Sequence, residues 1–301
     1  MKGQSSPYLL PEVLNRLGSL TLKARHVAEG ILTGLHRSPH HGASIEFAEH
    51  KEYSPGDDVR HLDWKAFGRF DKYYVKQFEQ ETNLQGYLLV DSSASMEYQS
   101  PDAPWSKREY ASILAASLAY LLIRQQDCAG LVTFADAPGT FIPPRATTAH
   151  LSHITGALDR LVGEGGTDIV RALDHLAEVS RRRSTVLVFS DLFDTSPDVV
   201  KRLQQLRARK HEVAVFHVLD PWELTFPFED VTEFEDMEQP GRRVVIDPSA
   251  LRKAYLEEIG AFLDDLRVRC FEADVDYVTV STRSAPDRVL SSFLAKRAGR
   301  R

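Results

Sequence analysis

The chain has 301 residues, a formal net charge of −6 and 43% hydrophobic residues, which is room for about two domains and enough apolar material for a packed core. Its 27% of charged residues is ordinary for a globular protein and excludes wholesale disorder or a fibrous repeat. Cys128 and Cys270 are too few for a disulfide scaffold or a four-cysteine zinc site and fit a reducing compartment, and the mild acidity offers no signal for nucleic acid.

At the start of the chain, Pro11, Glu12, Asn15 and Arg16 interrupt any apolar leader core. The longest apolar run, Tyr110 to Ile123, contains Ser112 and Ser117 and is shorter than the ~18 residues a membrane span needs, so no span is predicted and a cytoplasmic protein is expected. Residues 1–83 read as an N-terminal segment of mixed helix and strand. A helix is predicted over 11–35, with Val13, Leu14, Leu17, Leu20, Val27, Ile31 and Leu35 on one face. Extended segments follow, in which Ile45 and Phe47, then Leu62 and Trp64, alternate with polar neighbours, and Pro55-Gly56 marks a turn.

From residue 84 to 301 the pattern changes to short apolar runs separated by amphipathic helices, the mark of a mostly parallel sheet. Strands are predicted at Leu84–Val90, Ala129–Phe134, Thr185–Phe189, Val213–Leu219 and Tyr277–Val280. Ser106 and Glu109 form a capping box ahead of a helix whose apolar positions run from Tyr110 to Leu122. Further helices are predicted at Thr148–Leu161, Ile169–Arg181, Pro197–Arg209 behind a Ser196 cap, and Pro248–Arg267 behind an Asp247 cap. The fold class that follows is α/β: a doubly wound, Rossmann-like sheet beside a smaller N-terminal α+β segment. Such sheets hold ligands at the carboxyl ends of their strands, where strand order reverses.

Those ends carry the chemistry. The first strand leads into Asp91-Ser92-Ser93-Ala94-Ser95, and alternate residues of an extended loop point the same way, so Asp91, Ser93 and Ser95 can converge. Asp191 closes the strand Thr185–Phe189, and Gly165-Gly166-Thr167-Asp168 opens a helix with a hydroxyl beside two permissive glycines. An all-oxygen set of this kind suits a hard cation such as Mg²⁺, with Mn²⁺ and Ca²⁺ open as alternatives. Each hydroxyl taken alone could equally be a helix cap or turn former. His36, His40, His41 and His50 lack metal-ligand spacing and read as loop histidines. Asp57, Asp58 and Asp63 lie beside Arg60, Lys65 and Arg69 and read as structural ion pairs; the acidic stretch Glu229–Glu238 reads as a solvated loop. No phosphate-binding GxxxxGK[ST] loop occurs.

Together, DSSAS at 91–95, GGTD at 165–168 and FSD at 189–191 resemble the metal-ion-dependent adhesion site of the von Willebrand factor A fold. The resemblance implies that Ser93, Ser95 and Thr167 bind the ion directly, with Asp91 and Asp191 acting through water. Residues 42–47 (GASIEF), 53–60 (YSPGDDVR), Leu62-Asp63-Trp64-Lys65 and Arg69 further resemble the bacterial domain-of-unknown-function family 58, over roughly residues 20–290. That family joins such a segment to a von Willebrand A-like domain and is associated with MoxR-type AAA+ ATPases. The resemblance implies a binding module and no enzyme, its ion completed by an acidic residue of a protein partner, either the MoxR-type ATPase or its client. The alternative class is a Mg²⁺-dependent phosphoester hydrolase, for which these loops supply no second acid two residues after Asp91 and no assigned histidine or lysine.

Overall fold

The computed structural model describes residues 14–15, 17–36, 50–52, 74–76, 84–193, 198–239 and 241–299. Two compact units divide the chain: Met1–Arg37 with Leu84–Arg301, and Ser38–Asn83. In the smaller unit β1 (His50–Glu52) and β2 (Tyr74–Lys76) pair antiparallel, Lys51 opposite Val75. The pairs Ile45, Phe47 and Leu62, Trp64, the turn at 53–57, the charged group from Asp57 to Arg69, and His40 and His41 lie outside the described residues.

The larger unit is built on β3 (Gln85–Asp91), β4 (Cys128–Phe134), β5 (Pro138–Arg145), β6 (Ser184–Ser190), β7 (Glu212–Leu219) and β10 (Asp276–Ser281). Their order across the sheet is β10-β7-β6-β3-β4-β5, parallel throughout except for β5, which runs antiparallel at the edge. The five expected strands are present within a residue or two. Strand β5 was not anticipated, because PGTFIPPR carries three prolines, and proline is confined to edges and bulges of a sheet. It bulges twice against β4.

The inner strands are apolar on both faces because both faces are covered. On one side Leu88, Val90, Leu131, Phe189 and Phe216 meet α1 (Leu20–His36), α2 (Lys107–Arg124), α3 (Thr148–Asp159) and α8 (Pro286–Ala298). On the other, Leu89, Val132, Phe134, Val188 and Val215 meet α4 (Ile169–Val179), α5 (Val199–Ala208) and α7 (Pro248–Glu272). The Ser106–Glu109 capping box forms as expected, and α2 is buried almost all round. The second cover over α2 is α1, whose Leu20, Ala24, Val27, Ala28 and Ile31 enter the same core. Leu14 and Asn15 are helical, the chain bends over residues 17–19, and helix α1 then begins at Leu20 behind Ser19, whose Oγ accepts from the Leu22 N–H at 3.3 Å; Val13 and the start of the expected helix lie outside the described residues.

Between β7 and α7 the chain adds a short helix, α6 (Pro221–Thr225), and an antiparallel hairpin of β8 (Thr232–Glu235) and β9 (Arg243–Ile246). These elements were not anticipated, nor was α8. The stretch Glu229–Glu238, expected as a solvated loop, is thus partly strand. Among the described residues no helix is long and apolar enough to cross a membrane.

Candidate metal centre at the strand ends

The chain runs from β3 to β4 and β5 on one side, then returns to β6 and continues outward on the other, so strand order reverses between β3 and β6. There Asp91 ends β3, fully buried. The chain leaves the sheet as the Ser92 N–H donates to the Phe134 carbonyl at 2.7 Å, and Ser93 is extended before the 3₁₀ turn Ala94–Glu97. That geometry returns the Ser93 N–H to Asp91 Oδ1 at 2.9 Å, while Asp91 Oδ2 accepts from Ser190 Oγ at 2.6 Å. Ser93 Oγ lies 3.1 Å from Ser95 Oγ, and Ser95 Oγ donates to Asp191 Oδ2 at 2.8 Å. Asp91, Ser93, Ser95 and Asp191 are therefore one linked cluster.

Thr167 arrives on a second loop. The Ala94 N–H donates to the Gly165 carbonyl and the Glu164 N–H to the Ser92 carbonyl, each at 3.0 Å, stitching the two loops together. Gly165 has φ +72°, a conformation that costs an L side chain energy, and a Cβ there would also strike Asp136. Asp168, not Thr167, caps α4 by accepting from the Arg171 N–H at 2.9 Å, and Ser93 makes no side-chain cap. Two of the hydroxyls are thus not consumed in capping helices. Thr167 Oγ1 donates to Glu238 Oε1 at 3.2 Å, and the structure joins Thr167 to the rest of the cluster through that carboxylate.

Three residues of this region were not read from the sequence. Lys107, the first residue of α2, is fully buried and donates from Nζ to Asp191 Oδ2 at 2.8 Å and to Glu223 Oε1 at 2.6 Å. Burial opposes its charge, but the two carboxylates overcome that and hold the ammonium above its ordinary range. Asp191, which burial alone would raise, is held below the usual carboxylate range chiefly by Lys107. A cation in the first turn opposes the helix dipole, which was the available signal for Lys107. Glu223 comes from a second capping box, Asp220 to Glu223, in Asp-Pro-Trp-Glu. Glu238 comes from the hairpin.

Among the described residues Asp91 has no such partner. Burial first, then the charge of Asp191, pushes its carboxyl up to about 7 against hydrogen bonds from Ser190 and Ser93. Among the described residues no three His, Cys, Asp or Glu side chains cluster as metal ligands, so any cation here must rest on hydroxyls as well as acids. The donor set fits a hard divalent cation. The linked side chains Asp91, Ser93, Ser95 and Asp191 offer only oxygen, one ammonium faces several carboxylates, and the 3.1 Å between Ser93 Oγ and Ser95 Oγ is close to the ~2.9 Å between adjacent corners of an octahedral Mg²⁺ shell.

Beside the cluster lies a cleft of about 850 Å³ walled by Trp222, Phe226, Phe228, Phe234 and Tyr255, with Ser95, Lys107 and Glu238 at its polar end. Phe226 stacks on Tyr255 with centroids 4.5 Å apart, and Phe234 meets Phe228 edge-on at 4.9 Å.

A doubly wound sheet with this loop at its switch point is an α/β domain of the class that holds ligands at its strand ends. The chain belongs to the family described as Protein of unknown function DUF58, whose model matches residues 49–261. Over 263 residues it is 30% identical to the uncharacterized protein Rv1480 of Mycobacterium tuberculosis, covering 85% of this chain and 80% of that one, and equally to a protein of Mycobacterium bovis. Among solved structures it is similar to the conserved hypothetical protein BatB from Bacteroides thetaiotaomicron, at 21% identity and a TM-score of 0.48, covering 72% of this chain and 99% of that one.

Proposed function

We propose that this chain is a protein-binding module whose site works with a divalent cation, Mg²⁺ before Mn²⁺ or Ca²⁺, at the carboxyl ends of β3 and β6. The observation that supports this most directly is Asp91: a fully buried carboxylate with hydroxyls around it and, among the described residues, no cationic partner of its own. Leaving such a charge buried and unpaired is costly, and a cation offsets it. Ser93, Ser95 and Thr167 would hold the ion, with Asp91 and Asp191 behind them. When bound, the ion supplies positive charge and an open position for a carboxylate oxygen. Lys107 keeps Asp191 ionised and fixed, so the loop need not reorganise when the site loads. The adjoining aromatic cleft suits an apolar side chain next to that acid.

The family resemblance supports a MoxR-type AAA+ ATPase, or a client of one, as the partner, and an adaptor role in the cytoplasm without turnover. Lys107, the one lysine at the cluster among the described residues, is held by two carboxylates, which gives the phosphoester-hydrolase alternative no added support. The test is affinity capture with and without Mg²⁺, followed by calorimetric titration of the captured protein into wild type and Thr167→Ala. Binding that requires Mg²⁺ and falls at least tenfold in the variant, with an unchanged melt, is the expected result. Equal affinity in both, or Mg²⁺-dependent turnover of a phosphoester, would overturn it.

A further inference from the structure

The hairpin β8–β9 is held down at one end and closed at the other. Phe234 stacks parallel to Phe226 at 6.0 Å and meets Phe228 edge-on, fixing the strand against α6 and α7. At the tip, the Asp236 carboxylate accepts from the N–H groups of Glu238 at 3.0 Å and Gln239 at 3.1 Å, and the Asp236 N–H donates to the Arg242 carbonyl at 2.9 Å. This turn sends the Glu238 side chain back over the strand ends. One carboxylate oxygen accepts from Thr167; the other sits over Gly166, 3.4 Å from where a Cβ would stand. The Ser95 hydroxyl acts on the same carboxylate. No basic side chain among the described residues pairs with Glu238. A half-buried acid has thus been placed on two of the three hydroxyls expected to face the cation.

We propose that Glu238 is the chain's own carboxylate ligand at this site, standing where a partner's acid would stand. The inference rests on the metal-dependent reading above. It gives the hairpin a role: the tip caps the loaded site, and a partner binds by displacing it. The partner's apparent affinity is then reduced by the fraction of molecules in which the tip has lifted. Because the tip hangs on one aspartate turn and one aromatic face, it can lift without disturbing the sheet.

The test uses Mn²⁺ alone, its binding followed by electron paramagnetic resonance, together with hydrogen exchange of the tip amides. Wild type should bind Mn²⁺ with slowed exchange at Met237–Arg242. Glu238→Gln should bind at least tenfold more weakly, with no slowing, as should Glu238→Asp, which keeps the charge but shortens the reach; both should melt like wild type. Glu238→Gln or Glu238→Asp binding as tightly as wild type, while Thr167→Ala binds more weakly, would overturn the cap and leave the metal site standing. No Mn²⁺ binding by wild type, or binding that Thr167→Ala leaves unchanged, would overturn the metal reading itself, and the cap with it.

Discussion

Replacing Lys107 by methionine keeps most of the side chain's volume and removes its charge together with the two hydrogen bonds that Nζ donates. The ammonium sits 2.8 Å from Asp191 and 2.6 Å from Glu223, with 1% of its side chain exposed. At an effective dielectric of about 20 each contact is worth roughly 6 kcal/mol of Coulomb attraction. Much of that repays the cost of taking three charges out of water, so the pair energies do not add to the stability directly. What the substitution leaves behind is Asp191 and Glu223, two buried carboxylates without their cation, and breaking a buried pair in this way costs about 3–5 kcal/mol. For a domain of this size that is a fall in melting temperature of roughly 6–20 °C. Thermal unfolding followed by circular dichroism reads it. Adding Glu223→Gln should recover part of the loss, since the double variant leaves one fewer unpaired charge, and the two substitutions should be strongly non-additive. A single variant that melts within about 1 °C of wild type would refute the reasoning, because it would mean that water or rearrangement had already met both carboxylates.

Gly165→Ala should destabilise by about 1–2 kcal/mol or more, since it combines a positive φ with a Cβ against Asp136, and urea unfolding would show it as a lower midpoint. Ile31→Ala should cost about 2–5 kcal/mol, because this α1 side chain is 1% exposed in the main core; a loss below 1 kcal/mol would show that α1 is only loosely attached. Cys270, buried and with its thiol pushed up to about 11 by that burial, should resist a thiol reagent at pH 8 until the chain unfolds. Prompt stoichiometric labelling of Cys270 in the native protein would contradict the packing of α7 on the sheet.

The parallel strands were legible because burial on both faces leaves apolar runs that little else produces, and the loops after β3 and β6 were legible because they follow those runs directly; the Gly-Gly-Thr-Asp loop was legible from its two glycines ahead of a helix. Strand β5 was hidden by its prolines, which signal an edge only once a sheet is known to exist. The hairpin was hidden by its shortness: four residues a side, with Glu233 and Glu235 outward, look the same as an acidic loop. Helix α2 shows how far periodicity goes. Its first face could be read from Tyr110 onward, but its second burial depends on α1, and nothing in a single helix's pattern says that another will cover its back. Lys107 and Glu238 were missed for a related reason. Each lies remote in sequence from the residues it touches, and an isolated lysine or glutamate gives no local pattern until the fold brings its partner near.

The packing of α1 against both α2 and α8 has a kinetic consequence. Helix α1 is the first long element to be synthesised among those described, and α8 the last, so the apolar face of α1 waits for nearly the whole chain before its final partner exists. Until then the part of that face that meets α8 must stay exposed or bind something else, and closing that contact spans about 250 residues of chain. Such long-range closures are slow, and the exposed face meanwhile invites association with other chains. Refolding should therefore show a late phase in which α1 docks after the sheet has formed, and a chaperone in the cell has a defined segment to shield.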